Sequence, residues 1–484
     1  MSVPVRPYRF ADAPPDAHAW GLRLHRIAMV AILLLAAVPL DLSAQDGSPL
    51  AERLSWTVAD RMDRDDVPGV VIALLVDGGP VWTGVFGMAD PATGRALTED
   101  AVFRVESLSK PVTAWGAMRL AETARLDLDA SVKQCLTRWQ PPDDAGPITP
   151  RQLLSQSAGV GLGDFAARYP PDAQRPDLPD HLAADFTRVA GPGERFAYSD
   201  TGFNLLELVI EDCTGEDFAV LMSREALAPL GMTRASFDWP GAEMPVGHDL
   251  RGRPVAPYVY PGRASGGLHA TVADIARFAA AGMDGADQDV LSPEAVGALH
   301  GPVVSVGGLF GLAADGYGLG HFTETLSDGR TAVWHGGQGH GWMSHMHIVP
   351  ETGDGIVILS NSQRAWPLFA AVLRDWSDSL GVAPVGMARV LWAETAARIA
   401  IPLLVTASAI VLWIAYCAWS RPPVARIGAG LLSAPLALWP VFAATQDYLF
   451  LFSILPGLWP WLAAASCLTG FSLAVFALAP ARRG

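Results

Sequence analysis

The chain has 484 residues, half of them hydrophobic, and a formal net charge of −15. That length admits a catalytic domain of about 300 residues plus a further part, and the apolar excess assigns the further part to a membrane. Four arginines and one aspartate follow Ile399, so everything before it carries −18, which argues against nucleic acid and anionic lipid as its ligands.

At the N-terminus, Arg23, His25 and Arg26 precede the uncharged run Ile27–Leu40, with the small residue Ala44 beyond it. A basic region, an apolar stretch and a small residue predict a secretory signal over residues 1–45, either cleaved or kept as a signal anchor, with the rest of the polar chain exported. Val67–Asp90 then predicts two strands around a Gly-Gly turn.

Next comes "FRVESLSKPVTAW" (Phe103–Trp115), where two serines, a lysine and a glutamate interrupt apolar text. Residues three apart share a helix face, so Ser107 and Lys110 meet, whereas Ser109 turns about 100° away from Lys110. Pro111 is tolerated only early in a helix and sets the start near Ser107. An apolar setting lowers a lysine's pKa and lets it take a neighbouring hydroxyl's proton. The S-x-x-K pattern alone is better explained by Ser107 capping the helix and Lys110 snorkelling, and only its context favours chemistry. Glu106 reads as structural.

Further along, Asp200–Gly215 and Thr271–Gly282 predict helices ended by glycine. The Pro- and Gly-rich stretches Tyr169–Pro179 and Trp239–Pro261 predict long loops, and Gly355–Ser362 a buried strand. Strands at both ends with helices between them predict an α/β domain over residues 46–385, its sheet closed by distant segments. Cys135 and Cys213 either pair in an oxidising compartment or stay as two buried thiols. No cysteine spacing suits a metal. His340, His345 and His347 have no acidic or cysteine partner placed near them by the sequence, so neither a metal nor a cofactor is expected.

Residues 386–398 form a short amphipathic juxtamembrane helix in this reading. Beyond it, Ile399–Trp419 carries no charge over 21 residues, enough to span about 30 Å of hydrocarbon. Residues 427–446 and 458–479 predict two more membrane spans. Arg421, Arg426, Arg482 and Arg483 then fall on one side and the 46–385 domain on the other, with Arg398 as the dissenter. By the positive-inside rule this describes a bacterial inner-membrane protein with its domain in the periplasm.

The text around Ser107 resembles the nucleophile region of the penicillin-recognising serine hydrolases, in their class C β-lactamase and DD-peptidase branch. Other segments follow in that family's order: "VPGVVIALLVDGG", "ITPRQLLSQSAGVG", "ERFAYSDTGFNLLELVIE", "APLGMTRASF", "ASGGLHATVADIARF", "GYGLG" and "HGGQGHGWMSHMHIVPETGDGIVILSN". The resemblance implies a β-lactamase/transpeptidase-like fold, with an antiparallel sheet flanked by helices and an all-helical subdomain. It also implies catalysis through an acyl-enzyme. Ser107 takes the nucleophile's place, Lys110 the base's, and Tyr198 that of the tyrosine that shuttles a proton to the leaving group. The backbone N–H groups of Ser107 and Gln338 take the oxyanion hole, and Asp200, His335, Gly336 and Gly337 face the substrate.

Two positions depart from the family pattern. Asp200 stands where asparagine is usual. An ionised aspartate accepts hydrogen bonds but donates none, so it can hold Lys110 and raise its pKa, or cap the following helix, yet it cannot donate to a substrate carbonyl. His335 stands in a cationic position and supplies less charge at neutral pH than lysine. Both departures disfavour β-lactamase activity and recognition of a substrate carboxylate. They favour a small peptide, amide or ester. The alternative from another class is a receptor, acylated at Ser107 or merely occupied, with three spans relaying the signal. Its weakness is the short connection Ser420–Arg426, which offers no output domain. Oligomeric state is not legible in the sequence.

Overall fold

The computed structural model describes residues 49–164, 167–241, 243–417, 422–445 and 450–479. The predicted signal segment 1–45 and Arg421, Arg482 and Arg483 lie outside the described residues.

The strands in chain order are β1 (Gly69–Val76), β2 (Gly79–Asp90), β3 (Arg95–Ala96), β4 (Phe103–Arg104), β5 (His269–Ala270), β6 (Val304–Ser305), β7 (Gly316–Tyr317), β8 (Phe322–Thr325), β9 (Thr331–Gln338), β10 (Met343–Val349) and β11 (Asp354–Ser360). Nine of them form one antiparallel sheet in the order β3-β2-β1-β11-β10-β9-β8-β7-β6, while β4 and β5 pair separately. The sheet is closed by β1 against β11, with Ile72 opposite Ile358. The turn between β1 and β2 is Asp77-Gly78, not the expected Gly-Gly, and Gly79 already pairs with Val76. Both turn residues are left-handed, with φ of 49° and 77°, as a two-residue hairpin turn requires to match strand twist.

Side chains on a strand alternate between faces, and here both faces are covered. Val71, Ala73 and Leu75 of β1 enter one core with Trp115 of α2 (Ser109–Glu122), Phe203 of α3 (Asp200–Thr214) and Ile275 of α4 (Val272–Ala281). Val70, Ile72 and Leu74 enter the other with Leu54 of α1 (Pro49–Asp65) and Phe369 and Trp376 of α5 (Trp366–Ser379). Two buried faces explain why β1 and β11 read as unbroken apolar runs. Helix α3 is capped by Ser199, whose Oγ accepts the Gly202 N–H at 2.7 Å, and it ends on left-handed Gly215. Asp200 is therefore not the cap, and its carboxylate pairs with Lys110. Cys135 and Cys213 are joined by a disulfide across 78 residues, which removes the reading of two separate thiols.

Among the described residues, three helices are long and apolar enough to cross a membrane: Gly386–Cys417, Pro423–Ala444 and Trp459–Leu478. The expected juxtamembrane helix is not separate. After a tight turn at Gly386–Arg389, α6 (Val390–Cys417) runs unbroken into the first candidate span. Its first turns are tied to the preceding domain by Glu394, which Arg61 of α1 reaches at 2.9 Å, while Arg398 on the same helix orients that carboxylate from 2.6 Å. Helix α7 (Pro423–Ala444) leads to the short α8 (Phe450–Ile454) and then to α9 (Trp459–Leu478). Polar contacts join the bundle, Ser408 to Thr469 at 3.0 Å and Trp439 to Ser466 at 2.6 Å. Gly470 lies where a Cβ would come within 2.6 Å of the Ser433 carbonyl, the close approach that small residues allow between apolar helices. Helix α8 lies against the 46–385 domain, with Ser453 Oγ 3.3 Å from Gln338 Oε1.

Closing a loop of this length by a disulfide restricts the unfolded chain, with a stabilisation of about 2–4 kcal/mol. The Cys135→Ser/Cys213→Ser double variant is expected to show that loss as a lowered denaturant midpoint. Wild type under reductant should show the same drop.

Candidate active site

Ser107 lies in the tight turn Glu106–Leu108 that precedes α2. Glu106 has φ of 52°, a left-handed conformation that costs a non-glycine residue free energy and persists only where its surroundings fix it. They do so here. The Glu106 carboxylate accepts hydrogen bonds from Arg104 Nε at 3.0 Å, Tyr258 at 3.0 Å and Tyr260 at 2.9 Å. Ser344 of β10 donates to the Val105 carbonyl at 2.6 Å. The end of β9 presses on the same turn. A Cβ at Gly337 would stand 2.3 Å from the Val105 oxygen, and one at Gly339 would stand 2.1 Å from Glu106 Cδ. The glycines are thus required by contact with the turn that carries Ser107. Ser109, the other serine of the stretch, is fully buried, donating to the Glu106 carbonyl at 2.6 Å and accepting from Leu268 N–H at 2.9 Å. Its role is structural.

Lys110 is wholly buried. Its Nζ stands 3.1 Å from Ser107 Oγ, 2.6 Å from Asp200 Oδ1 and 2.9 Å from the Ser265 carbonyl. Burial pulls the lysine below its ordinary pKa, and the Asp200 charge partly opposes this. A neutral amine has two N–H groups and one lone pair. Asp200 and Ser265 are acceptors only, so they take both N–H groups, which leaves the lone pair for the Ser107 hydroxyl. That is the geometry of a base poised to deprotonate a nucleophile.

Tyr198 lines one cavity with Ser107, and the centroid of its ring is 4.8 Å from Lys110 Nζ. The ring lies nearly parallel to those of Phe310 and Phe322, with centroids at 5.3 and 6.2 Å, and those two rings are 5.8 Å from each other. Gln338 lines the cleft on both sides of Ser107. Its side chain accepts from Trp366 Nε1 at 2.6 Å, which pins the end of β9 beside the serine. Gly336 and His335 line the cavity with it.

His335 does not supply the expected partial charge. It is buried, and burial, followed by the Lys110 charge, holds its pKa well below the ordinary value. Nδ1–H donates to the Gly336 carbonyl at 2.7 Å, leaving Nε2 to accept from the Tyr317 hydroxyl at 3.2 Å. The ring is a neutral wall of the site. His345 and His347 lie buried behind it on β10, 3.3 Å apart. The sequence placed no acidic neighbour there, yet Glu324 of β8 reaches His347 at 3.3 Å. Among the described residues, no group of three or more His, Cys, Asp or Glu side chains is arranged to hold a metal ion.

The cleft has two unlike sides. One is polar, lined by Asp164, Asp185, Asp200 and Asn204. The other is a cavity of about 170 Å³ lined mainly by aromatic and aliphatic side chains. Ser265, Trp366 and the two extra aspartates were not singled out from the sequence, because they come from loops and a helix that only the fold brings together.

A family model described as Beta-lactamase matches residues 55–374. The chain belongs to the β-lactamase family. Among relatives of this family member, Penicillin-binding protein 4 of Amycolatopsis lactamdurans is 28% identical over 338 residues, covering 64% of this chain and 84% of that protein. Esterase EstB of Burkholderia gladioli is 29% identical over 220 residues, 42% of this chain and 56% of that protein. D-aminopeptidase of Gluconobacter oxydans is 26% identical over 350 residues, 68% of this chain and 62% of that protein. The octameric penicillin-binding protein homologue from Pyrococcus abyssi superposes with a TM-score of 0.62 at 26% identity, covering 69% of this chain and 78% of that one.

Replacing Asp200 tests the electrostatics of this β-lactamase-family site. Because the aspartate charge raises the Lys110 pKa, Asp200→Asn lets it fall further. A base must be neutral to act, so the acidic limb of a kcat/KM profile is expected to move to lower pH in the variant. A limb that stays or moves to higher pH would exclude Lys110 as the titrating base.

Proposed function

We propose that this chain is a membrane-associated serine hydrolase that cleaves an ester, amide or peptide through an acyl ester on Ser107. The observation that carries the reading is the buried Lys110 amine, 3.1 Å from Ser107 Oγ, with its other two hydrogen-bonding directions taken by Asp200 and Ser265. Lys110 accepts the serine proton as Oγ attacks the carbonyl. The backbone N–H groups of Ser107 and Gln338 stabilise the oxyanion, a contribution of about 3–4 kcal/mol in comparable sites. Tyr198, beside Lys110, passes the proton to the leaving group, and water then hydrolyses the acyl ester.

Two features narrow the substrate. Neutral His335 offers no charge to a substrate carboxylate, and ionised Asp200 offers no donor to a substrate amide carbonyl. Both argue for weak turnover of β-lactams and for esters, amides or peptides of the kinds named in the esterase and D-aminopeptidase relatives. The arginine bias of the spans supports a domain on the extracytoplasmic side of a bacterial inner membrane.

Ser107→Ala is expected to lower turnover by at least about 10³-fold with folding intact, measured on p-nitrophenyl esters, nitrocefin and short L- and D-peptides. Intact-protein mass of the wild type should show a transient acyl adduct. An adduct lasting hours without product would replace the hydrolase by the receptor, and turnover that persists without the Ser107 hydroxyl would overturn the mechanism.

A further inference from the structure

The apolar cavity beside Ser107 is not walled by the catalytic domain alone. Tyr198, Phe310 and Trp334 come from the domain, Val390 and Ala393 from the first turns of α6, and Ile454 from α8 between the other two candidate spans. The membrane region thus completes the wall of the active site. Apolar voids of about 150 Å³ admit a benzene-sized ligand, and this one is of that order and open at its mouth.

The cavity also sits at a definable height. Trp392 is 68% exposed one residue from Ala393, and Trp461 is 67% exposed at the start of α9. Exposed tryptophans at the ends of apolar helices mark the headgroup level of a bilayer. Leu309 and Leu312, 61% and 58% exposed, stand at the cavity's rim, and the Arg389 guanidinium beside them donates to the Leu312 carbonyl. A long apolar rim with one snorkelling cation suits the boundary between headgroups and acyl chains.

From this placement we infer that the substrate is a membrane amphiphile, an ester or amide whose hydrocarbon chain enters the cavity from the bilayer while its reactive carbonyl reaches Ser107. The inference rests on the acyl-enzyme reading above. The Ser107 Oγ–carbon bond forms and the substrate's carbonyl–oxygen or carbonyl–nitrogen bond breaks. The serine proton passes through Lys110 and Tyr198 to the leaving group. Water then cleaves the serine ester, releasing a carboxylic acid and restoring the hydroxyl. The polar side of the cleft, with Asp164, Asp185 and Asp200, receives a neutral or cationic part of the substrate and repels an anionic one.

The test uses the full chain in phosphatidylcholine nanodiscs with p-nitrophenyl acetate, butyrate and octanoate. Each methylene buried adds to binding, so kcat/KM is expected to rise from acetate to octanoate on the order of tenfold or more. Partitioning into the disc raises long-ester rates by itself. The deciding readout is therefore the octanoate-to-acetate ratio in Ala393→Trp, which fills the cavity, and in the milder Ile454→Ser, each against wild type in the same discs. A fall of about fivefold or more in either variant supports the inference. A ratio unchanged in both, or Ser107-dependent hydrolysis that is flat with chain length, overturns it and leaves the hydrolase reading standing. Absence of any Ser107-dependent turnover or acyl adduct overturns the hydrolase reading, and this inference with it.

Discussion

The site depends on one buried amine. An ammonium taken out of water carries a large desolvation cost unless it is paired, and Lys110 has one carboxylate, one carbonyl and one hydroxyl around it. Burial and pairing act in opposite directions on its proton affinity. With the carboxylate alone the lysine would stay charged, and the proposed role of base would be closed to it. With burial alone it would lose its orientation. The aspartate in place of the family's asparagine therefore bears directly on the Lys110 amine, and through it on the Ser107 hydroxyl that the amine touches.

The rest of the domain serves to deliver that amine and that hydroxyl to the same place. Helix α2 passes through the middle of the molecule with almost every residue buried, so Lys110 cannot swing away. The left-handed Glu106 turn is held from the sides by Arg104, Tyr258 and Tyr260 and from below by the glycine-rich end of β9. Closure of the sheet by β1 and β11 fixes β10 and β9 in register, with Ser344 opposite Gly337. Any slip there would withdraw Gln338 from the serine.

The sequence made the local part of this legible. The i,i+3 spacing of Ser107 and Lys110, the placing of Pro111, the short apolar runs of the two buried strands and the long apolar runs near the C-terminus all follow from short-range rules. The positions of Tyr198, Asp200, His335 and Gln338 came from collinear motifs. What was not legible depends on packing between distant segments. Nothing in the text around Ser199 and Asp200 decides which of the two caps α3, since both are good caps. The neutrality of His335 comes from burial beside Tyr317 and Lys110, and Glu324 meets His347 only because β8 and β10 flank β9. The pairing of Cys135 with Cys213 likewise needed the helix end and the preceding loop to be brought together.

The join between domain and bundle has a mechanical consequence. Arg61 and Glu394 fasten α1 to a helix that runs unbroken into the apolar region, and no flexible tether intervenes. A catalytic head on a slack leash would tumble above the surface and sample the surrounding fluid in all directions. Here the head is fastened to the helix itself, so wherever the apolar helices are seated the cleft keeps one orientation towards them.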